Sequence, residues 1–266
     1  MAALEDQYEL TKKIFLDKTS KILEDAPKSS YPQTLKALFN CQRKMSSLLD
    51  TLELLKASSG EDIYYSVQST TRVLFEHFLV GHYIWTKARI DKTDDCGVQY
   101  YAHYRLSEIL RRENYELGLE GIENKVKNNA TFENLKKRFS DYDKPITQQD
   151  IDEIHRIANQ FDIKSIYNYV INEIPTGDHF TQFHKSLVQF LKEYNILSSF
   201  THGGPSAEYE TFHNEPPVDK AQRIIDCIKH GKTTLKTLRE HILMLLFSEF
   251  QEYGDILKPI MELKKR

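Results

Sequence analysis

Five polar residues recur at four-residue intervals in two otherwise apolar stretches of the chain. Tyr194, Ser198 and His202 fall on one stripe of a predicted helix, because residues four apart share a helix face. Arg72 and Glu76 have the same spacing among apolar neighbours. Charged side chains seldom enter a core unpaired, since desolvating a lone charge is costly. We expect the two stripes to face each other, either to fix the core or to form an active site. The alternative is that Arg72 and Glu76 form an exposed surface pair.

His202 has the side chain of this set best suited to acid–base or anion chemistry. It falls in the last turn of its predicted helix, directly before Gly203 and Gly204, where the helix dipole favours a protonated imidazole. A protonated His202 near Arg72 would bind an anion such as a phosphate. The alternative is that His202 only caps the helix and the glycines only end it.

Arg72 also has a histidine nearby in sequence, His77, with four residues between them. This spacing resembles that of HEPN-type ribonucleases, in which such a pair activates the ribose 2′-hydroxyl and stabilises the transferring phosphate without a metal. The chain departs from that pattern because Val73 stands where a polar residue usually follows the Arg. The five-residue step also places His77 about 140° around the helix from Arg72.

A strip of basic residues on the last long predicted helix is a candidate RNA-binding edge. It consists of Lys229, Lys232, Lys236 and Arg239, beside an apolar stripe. Such a strip could follow the phosphates of an RNA, or it could be a solvated face whose aliphatic stems cover the core. The three cysteines have no metal-ligand spacing, and no Glu-x-x-His, zinc-protease or P-loop motif occurs. We expect neither a metal nor a cofactor.

Composition favours an all-α protein of the cytoplasm. The chain has 266 residues, of which only 10 are Gly and 8 are Pro, so helix breakers are scarce. A net charge of −3 gives no general attraction to nucleic acid, so RNA contact would have to be local. An odd number of cysteines, three, is typical of reduced thiols in the cytosol. The start lacks a signal-peptide pattern and no apolar run is long enough to cross a bilayer.

Local signals predict several individual elements. Apolar spacing predicts a first helix at about 4–25, a second at about 33–57 with a core stripe that includes Leu38 and Met45, and a fourth at about 98–118. Thr147-Gln-Gln-Asp150 resembles a capping box, with Asp in place of the usual Glu or Gln, and predicts the start of a further helix.

The apolar spacing predicts one helical domain over residues 1–266. We expect a multi-helix bundle of about seven to nine helices around a central buried helix at about 61–90, which is apolar around much of its circumference. Mixed charges with few apolar anchors predict a peripheral excursion at about 111–147. Residues 205–217 lack periodicity and predict a long loop, either a lid or a surface connection.

The Arg72-x-x-x-Glu76 and Tyr194-x-x-x-Ser198-x-x-x-His202 patterns resemble a bacterial all-helical family of unknown function. Its members are often encoded near mobile-element and antiviral defence genes, and it is distantly similar to HEPN-like domains. The resemblance covers about residues 35–250 and implies that these five residues, with Tyr104, form one cluster. Two functions stay open. One is an antiviral, metal-independent ribonuclease-like effector that acts on RNA. The other is a non-catalytic sensor or subunit that binds a partner protein from the same locus, or a second copy of itself.

Overall fold

The computed structural model describes residues 2–58, 63–123, 147–173 and 178–263. These ranges contain helices and no β-strand, which confirms the all-α prediction. In chain order the α-helices of five residues or more are α1 (Ala2–Asp17), α2 (Thr19–Asp25), α3 (Pro32–Ala57), α4 (Ile63–Asp91), α5 (Asp95–Gln99), α6 (Arg105–Glu123), α7 (Gln148–Ala158), α8 (Ile163–Asn172), α9 (Asp178–Thr201), α10 (Lys220–Phe247) and α11 (Tyr253–Leu263).

The described residues form eleven such helices, so the predicted count of seven to nine was too low. Predicted helices are divided at points that periodicity does not reveal. The first is interrupted at Lys18, whose backbone leaves the helical region with ψ 4°. The fourth is divided by a π-helical turn at Tyr100–Tyr104. The predicted loop after α9 contains a short helix, Pro205–Glu208, and a second π-helical turn, Tyr209–His213.

Helix α4 lies at the centre of the fold, as its sequence predicts. It packs against α3, α9 and α10. Its side chains Leu74, Phe78 and Leu79 are fully buried in the main core. Burying a side chain of this size stabilises a fold by roughly 1.5–3 kcal/mol. The predicted core stripe of α3 packs on α4, with Leu38 and Met45 also fully buried.

The turn before α5 holds the start of α3 by a cap that comes from a distant part of the chain. The carboxylate of Asp94 accepts hydrogen bonds from the backbone N–H groups of Gln33, at 2.8 Å, and Thr34, at 2.7 Å. These N–H groups have no partner within the first turn of a helix, and a negative charge there is favourable. Gly97 then approaches so closely that a Cβ on it would lie 2.3 Å from the backbone N of Thr34. The cap and the close approach place the π-helical turn beside α3.

The second half of the described chain follows local sequence signals. Thr147 and Asp150 form the capping box that the sequence predicts at the start of α7. Ile151 and Ile154 of α7 form a small separate core with Leu110 of α6. In the predicted charged excursion, residues 111–123 continue helix α6, whereas residues 124–146 lie outside the described ranges.

No helix in the described ranges combines the length and apolar character needed to span a membrane.

Candidate functional site

Arg72, Glu76 and Tyr194 form a closed hydrogen-bonded cluster between α4 and α9, which we call the polar triad. Arg72 Nη2 lies 2.9 Å from Glu76 Oε1 and donates to the Tyr194 hydroxyl at 3.0 Å. The same hydroxyl donates to Glu76 Oε1 at 2.9 Å. Each of the three side chains therefore contacts the other two, and the two stripes predicted from the sequence meet at these residues.

The two helices meet in antiparallel order along their contact. Ser69, near the start of α4, donates its hydroxyl to the carbonyl of Phe200 at 3.3 Å, near the end of α9. Farther along α4, Phe75 and Phe78 both pack edge-on against Phe190, at 5.6 Å between ring centroids. The polar triad lies between these apolar and hydrogen-bonded contacts, so it fixes the relative position of the two helices.

Partial burial sets the electrostatics of the polar triad. The Arg72 side chain is 10% exposed and that of Glu76 is 32% exposed. The guanidinium carbon of Arg72 also lies 5.2 Å from the centre of the Tyr194 ring, within range of a cation–π contact. Burial, followed by the charge of Glu76, raises the pKa of Tyr194 to about 12, so its hydroxyl stays protonated and remains a donor. Arg72 Nε is buried and has no partner among the described residues.

Ser198 and His202 lie farther along α9 and do not contact Arg72 or Glu76. The Ser198 hydroxyl is half-buried and has no hydrogen-bond partner among the described residues. His202 is exposed, and its backbone N–H donates to the Ser198 carbonyl at 3.4 Å. Eight residues, just over two helical turns or about 12 Å along the axis, separate His202 from Tyr194. Gly203 follows with φ 62°, a left-handed conformation suited to glycine that ends the helix.

His77 and Tyr104 lie on other sides of the polar triad. His77 lines a cleft between α4 and α3, whereas Arg72 points towards α9. The two side chains of the predicted ribonuclease pair thus face different helices. Tyr104 stacks on Tyr100 at 5.5 Å and packs against Phe161 at 5.6 Å. Burial raises the pKa of Tyr104, and the charges of Glu108, Asp162 and Glu76 make smaller contributions in the same direction.

The half-buried part of the predicted RNA-binding strip is paired with acidic side chains. Lys229 Nζ lies 3.1 Å from an oxygen of Asp226 on the same helix. Lys232 Nζ lies 2.8 Å from Glu5 of α1 and 3.1 Å from Glu53 of α3. A polyanion would have to displace these carboxylates.

The remainder of the strip lies beneath α1. Lys236 is 7% exposed and its Nζ lies 3.4 Å from Glu240. Arg239 is 2% exposed, with its guanidinium carbon 5.4 Å from the ring centre of Tyr8 and 5.9 Å from that of Phe15. Both cations bind the N-terminal helix to the bundle. The four basic residues do not form one continuous exposed edge in this structure, because α1 packs on the face that carries two of them.

The cleft that contains His77 was missed by the sequence reasoning. It has a volume of about 560 Å³ and lies between α3, α4 and the π-helical turn. Two exposed cations of α3, Arg43 and Lys44, line it together with Asn40 and Ser47. These four residues follow the i, i+3, i+4, i+7 spacing of one helix face. That spacing was a signal available in the sequence beside the apolar stripe of the same helix.

A buried histidine pair was also missed. His82 Nδ1 of α4 lies 3.0 Å from His241 Nε2 of α10, and Thr86 Oγ1 lies 3.1 Å from His82 Nε2. The Trp85 ring stacks on His241 with centroids 3.8 Å apart. Burial lowers the pKa of His82 to about 3, which keeps it neutral. The pair is part of the α4–α10 core contact and lacks access to solvent.

Among the described residues no group of three or more His, Cys, Asp or Glu side chains is arranged to hold a metal ion. The three cysteines are free and buried, and burial raises the pKa of Cys41 to about 11, which leaves its thiol unreactive. The chemistry available to the described site is therefore hydrogen bonding, charge pairing and proton transfer by histidine or tyrosine.

Comparison with known proteins does not assign the chain. No protein-family model, no curated protein and no solved structure matches it. Its function is therefore argued from the geometry of the polar triad and of the α3–α4 cleft.

Proposed function

We propose that the protein is a non-catalytic binding module, a sensor or a partner-binding subunit, in which the polar triad fixes α4 against α9. The observation that carries this proposal is the closure of the triad. The Arg72 guanidinium already has its neutralising carboxylate, at 2.9 Å, and a hydroxyl, at 3.0 Å. A buried and internally paired arginine can specify how two elements pack without adding stability.

The positions of the histidines support a structural role for Arg72. A general acid or base must come within about 2.6–3.2 Å of the proton that it transfers. His202 is exposed at the end of α9, and His77 lines a cleft on the α3 side of α4. Arg72 is not among the described residues that line the cleft of His77. A phosphate bound to Arg72 would also compete with Glu76 for the same guanidinium nitrogen.

The proposed setting is bacterial antiviral defence in the cytoplasm. The resemblance of the Arg72–Glu76 and Tyr194–Ser198–His202 patterns to a helical family encoded near defence genes supports this setting. In it the protein binds either a partner protein from the same locus or a second copy of itself. The modest net charge of −3 suits a protein that recognises a local feature of its partner.

The test compares folding with catalysis in the same variants. Wild type, Tyr194→Phe and His202→Ala are assayed for cleavage of total RNA and tRNA in EDTA, and their melting temperatures are measured. We expect no cleavage by any of them and a lower melting temperature for Tyr194→Phe only. Cleavage by the wild type that both substitutions reduce, while both variants stay folded, would contradict the binding-module proposal.

A second candidate, a metal-independent ribonuclease-like effector, is favoured by one specific observation. The polar triad meets solvent at Glu76, which is 32% exposed, and the buried Arg72 Nε has no partner among the described residues. In this reading Arg72 binds the scissile phosphate, Tyr194 orients the reacting groups, and His202 or His77 acts as acid or base. Cleavage would survive EDTA, and loss of Arg72 would slow it by about 10²–10³.

A further inference from the structure

The α3–α4 cleft carries positive charge that the described residues do not balance. Arg43 and Lys44 are exposed, line the cleft and have no ion-pair partner in the described part of the chain. Among the described residues, no acidic side chain lines the cleft. This differs from the strip on α10, where acidic partners lie within 3.1 Å of Lys229 and Lys232. Like-charge neighbours without a counter-charge favour an anionic ligand.

Neutral donors complete the polar wall of the cleft. The Asn40 amide donates to the Tyr101 hydroxyl at 2.8 Å, which leaves that hydroxyl's own hydrogen free to donate to a ligand. His77 is half-buried, and burial followed by the nearby charge of Lys44 lowers its pKa to about 4. A neutral imidazole offers one N–H donor. The Ser47 hydroxyl lies on the same wall. A phosphate, with several acceptor oxygens, matches a wall rich in donors.

The remainder of the cleft is apolar and aromatic. Tyr100 and Tyr101 line it with their rings in an edge-on pair, 5.3 Å between centroids. Leu48 and Val73 supply aliphatic surface. At about 560 Å³ the cleft falls in the range of small-molecule sites, roughly 300–1,000 Å³. Both tyrosines are half-buried. Tyrosine rings beside a cationic wall suit a nucleotide, because the base packs on a ring and the phosphate pairs with the cations.

We infer that the α3–α4 cleft binds the phosphate of a nucleotide through Arg43 and Lys44, with its base against the tyrosines of the π-helical turn. This inference rests on the proposed function, because it names the class of ligand that the proposed binding module takes. The shared chemistry is a phosphate attached to a planar base. The source is either a free nucleotide or a nucleotide within single-stranded RNA.

The experiment measures binding to the full-length protein by calorimetry and by changes in protein NMR signals. Four probes separate the contributions: inorganic phosphate, adenosine, AMP and a short single-stranded oligo(A) RNA. The variants are Arg43→Gln and Lys44→Gln, and the matched control is Lys258→Gln, an exposed lysine of α11 outside the cleft. The two exposed α3 substitutions leave the core unchanged, which a melting curve verifies.

We expect AMP to bind more tightly than either phosphate or adenosine, and each α3 substitution to weaken it roughly tenfold or more. Lys258→Gln should bind as wild type does, and binding should weaken as salt rises. RNA that binds more tightly than AMP, with the same dependence on Arg43 and Lys44, would assign the site to single strands. Tighter binding of AMP would assign it to free nucleotides.

The inference is overturned if no phosphate-bearing probe binds, if adenosine binds as tightly as AMP, or if the α3 variants bind as the control does. These outcomes are separable from failure of the proposed function. RNA cleavage with intact AMP binding would remove the non-catalytic proposal and keep the site. Absent binding without cleavage would remove the site and leave the triad's structural role in place.

Discussion

Replacing Glu76 by Gln tests whether the polar triad stabilises the fold. The substitution keeps the size of the side chain and an oxygen that can accept the Tyr194 hydroxyl, but it removes the negative charge 2.9 Å from Arg72. The Arg72 guanidinium, 10% exposed, would then be left with its charge unpaired. Desolvating an unpaired charge opposes folding.

The expected loss follows from the burial of the two partners. Breaking a fully buried pair costs about 3–5 kcal/mol, whereas hydrogen bonds to charged groups are worth about 1.5–3 kcal/mol. Glu76 is 32% exposed, so water can partly replace it and the lower range applies. We expect the free energy of unfolding to fall by about 2 kcal/mol. Each kcal/mol shifts the melting temperature of a domain this size by roughly 2–4 °C, so the melting temperature should fall by about 4–8 °C.

Thermal unfolding followed by circular dichroism measures this loss. The matched control is Glu153→Gln on α7, which removes an exposed helical partner of Arg156, with side chains 47% and 71% exposed. It should cost no more than about 1 kcal/mol. Adding Arg72→Met to Glu76→Gln should restore part of the stability, because the unpaired charge is removed. Equal, small losses for Glu76→Gln and Glu153→Gln would refute a structural role for the triad.

Three further predictions concern the elements that position the site. Gly97→Ala should destabilise the fold by about 1–3 kcal/mol in urea unfolding, because the added Cβ would lie 2.3 Å from the backbone N of Thr34. Gly231→Ala, whose nearest neighbour is a movable leucine methyl at 3.0 Å, should cost less, and equal losses would contradict this reasoning. Asp94→Asn should lower stability by about 1 kcal/mol through loss of the charged cap of α3, and an unchanged urea midpoint would show that the cap contributes nothing. Folding lowers the pKa of His82 from 6.5 to about 3. Below about pH 6.5 the unfolded chain therefore binds a proton at His82 that the folded chain does not bind. Stability should therefore fall by up to roughly 1.4 kcal/mol per pH unit between about pH 6.5 and 5, and a flat profile that His82→Gln does not alter would contradict this.

Periodic patterns allowed part of the fold and of the site to be predicted. The centrality of α4 followed from an apolar surface that extends around the helix, and the core face of α3 from its three- and four-residue spacing. The contact of Arg72 and Glu76 with Tyr194 followed from two polar stripes that each needed a partner in an apolar setting. The capping box at the start of α7 is a local signal, so it too was correct.

Features that depend on long-range packing could not be predicted in this way. The α3–α4 cleft exists because Asp94 holds the turn after α4 against α3. Asp94 caps Gln33 and Thr34, which come 61 and 60 positions before it in the chain. The spacing of Arg43 and Lys44 shows that they share a helix face, but nothing local to them shows that a second wall packs opposite that face. Burial of Arg239 has the same origin, since α1 covers a face of α10 that periodicity alone presents as a charged edge. His202 belongs to the stripe of Tyr194, but two helical turns keep it from the polar triad.

The most direct test of the binding-module account is a single-turnover assay with end-labelled single-stranded RNA and excess purified wild-type protein in EDTA. The account predicts that the RNA stays intact, with a cleavage rate equal to that of the buffer control and unchanged by Tyr194→Phe. Cleavage well above that control, reduced about 10²–10³ by Arg72→Gln in a protein that is still folded, would contradict it and establish the polar triad as catalytic.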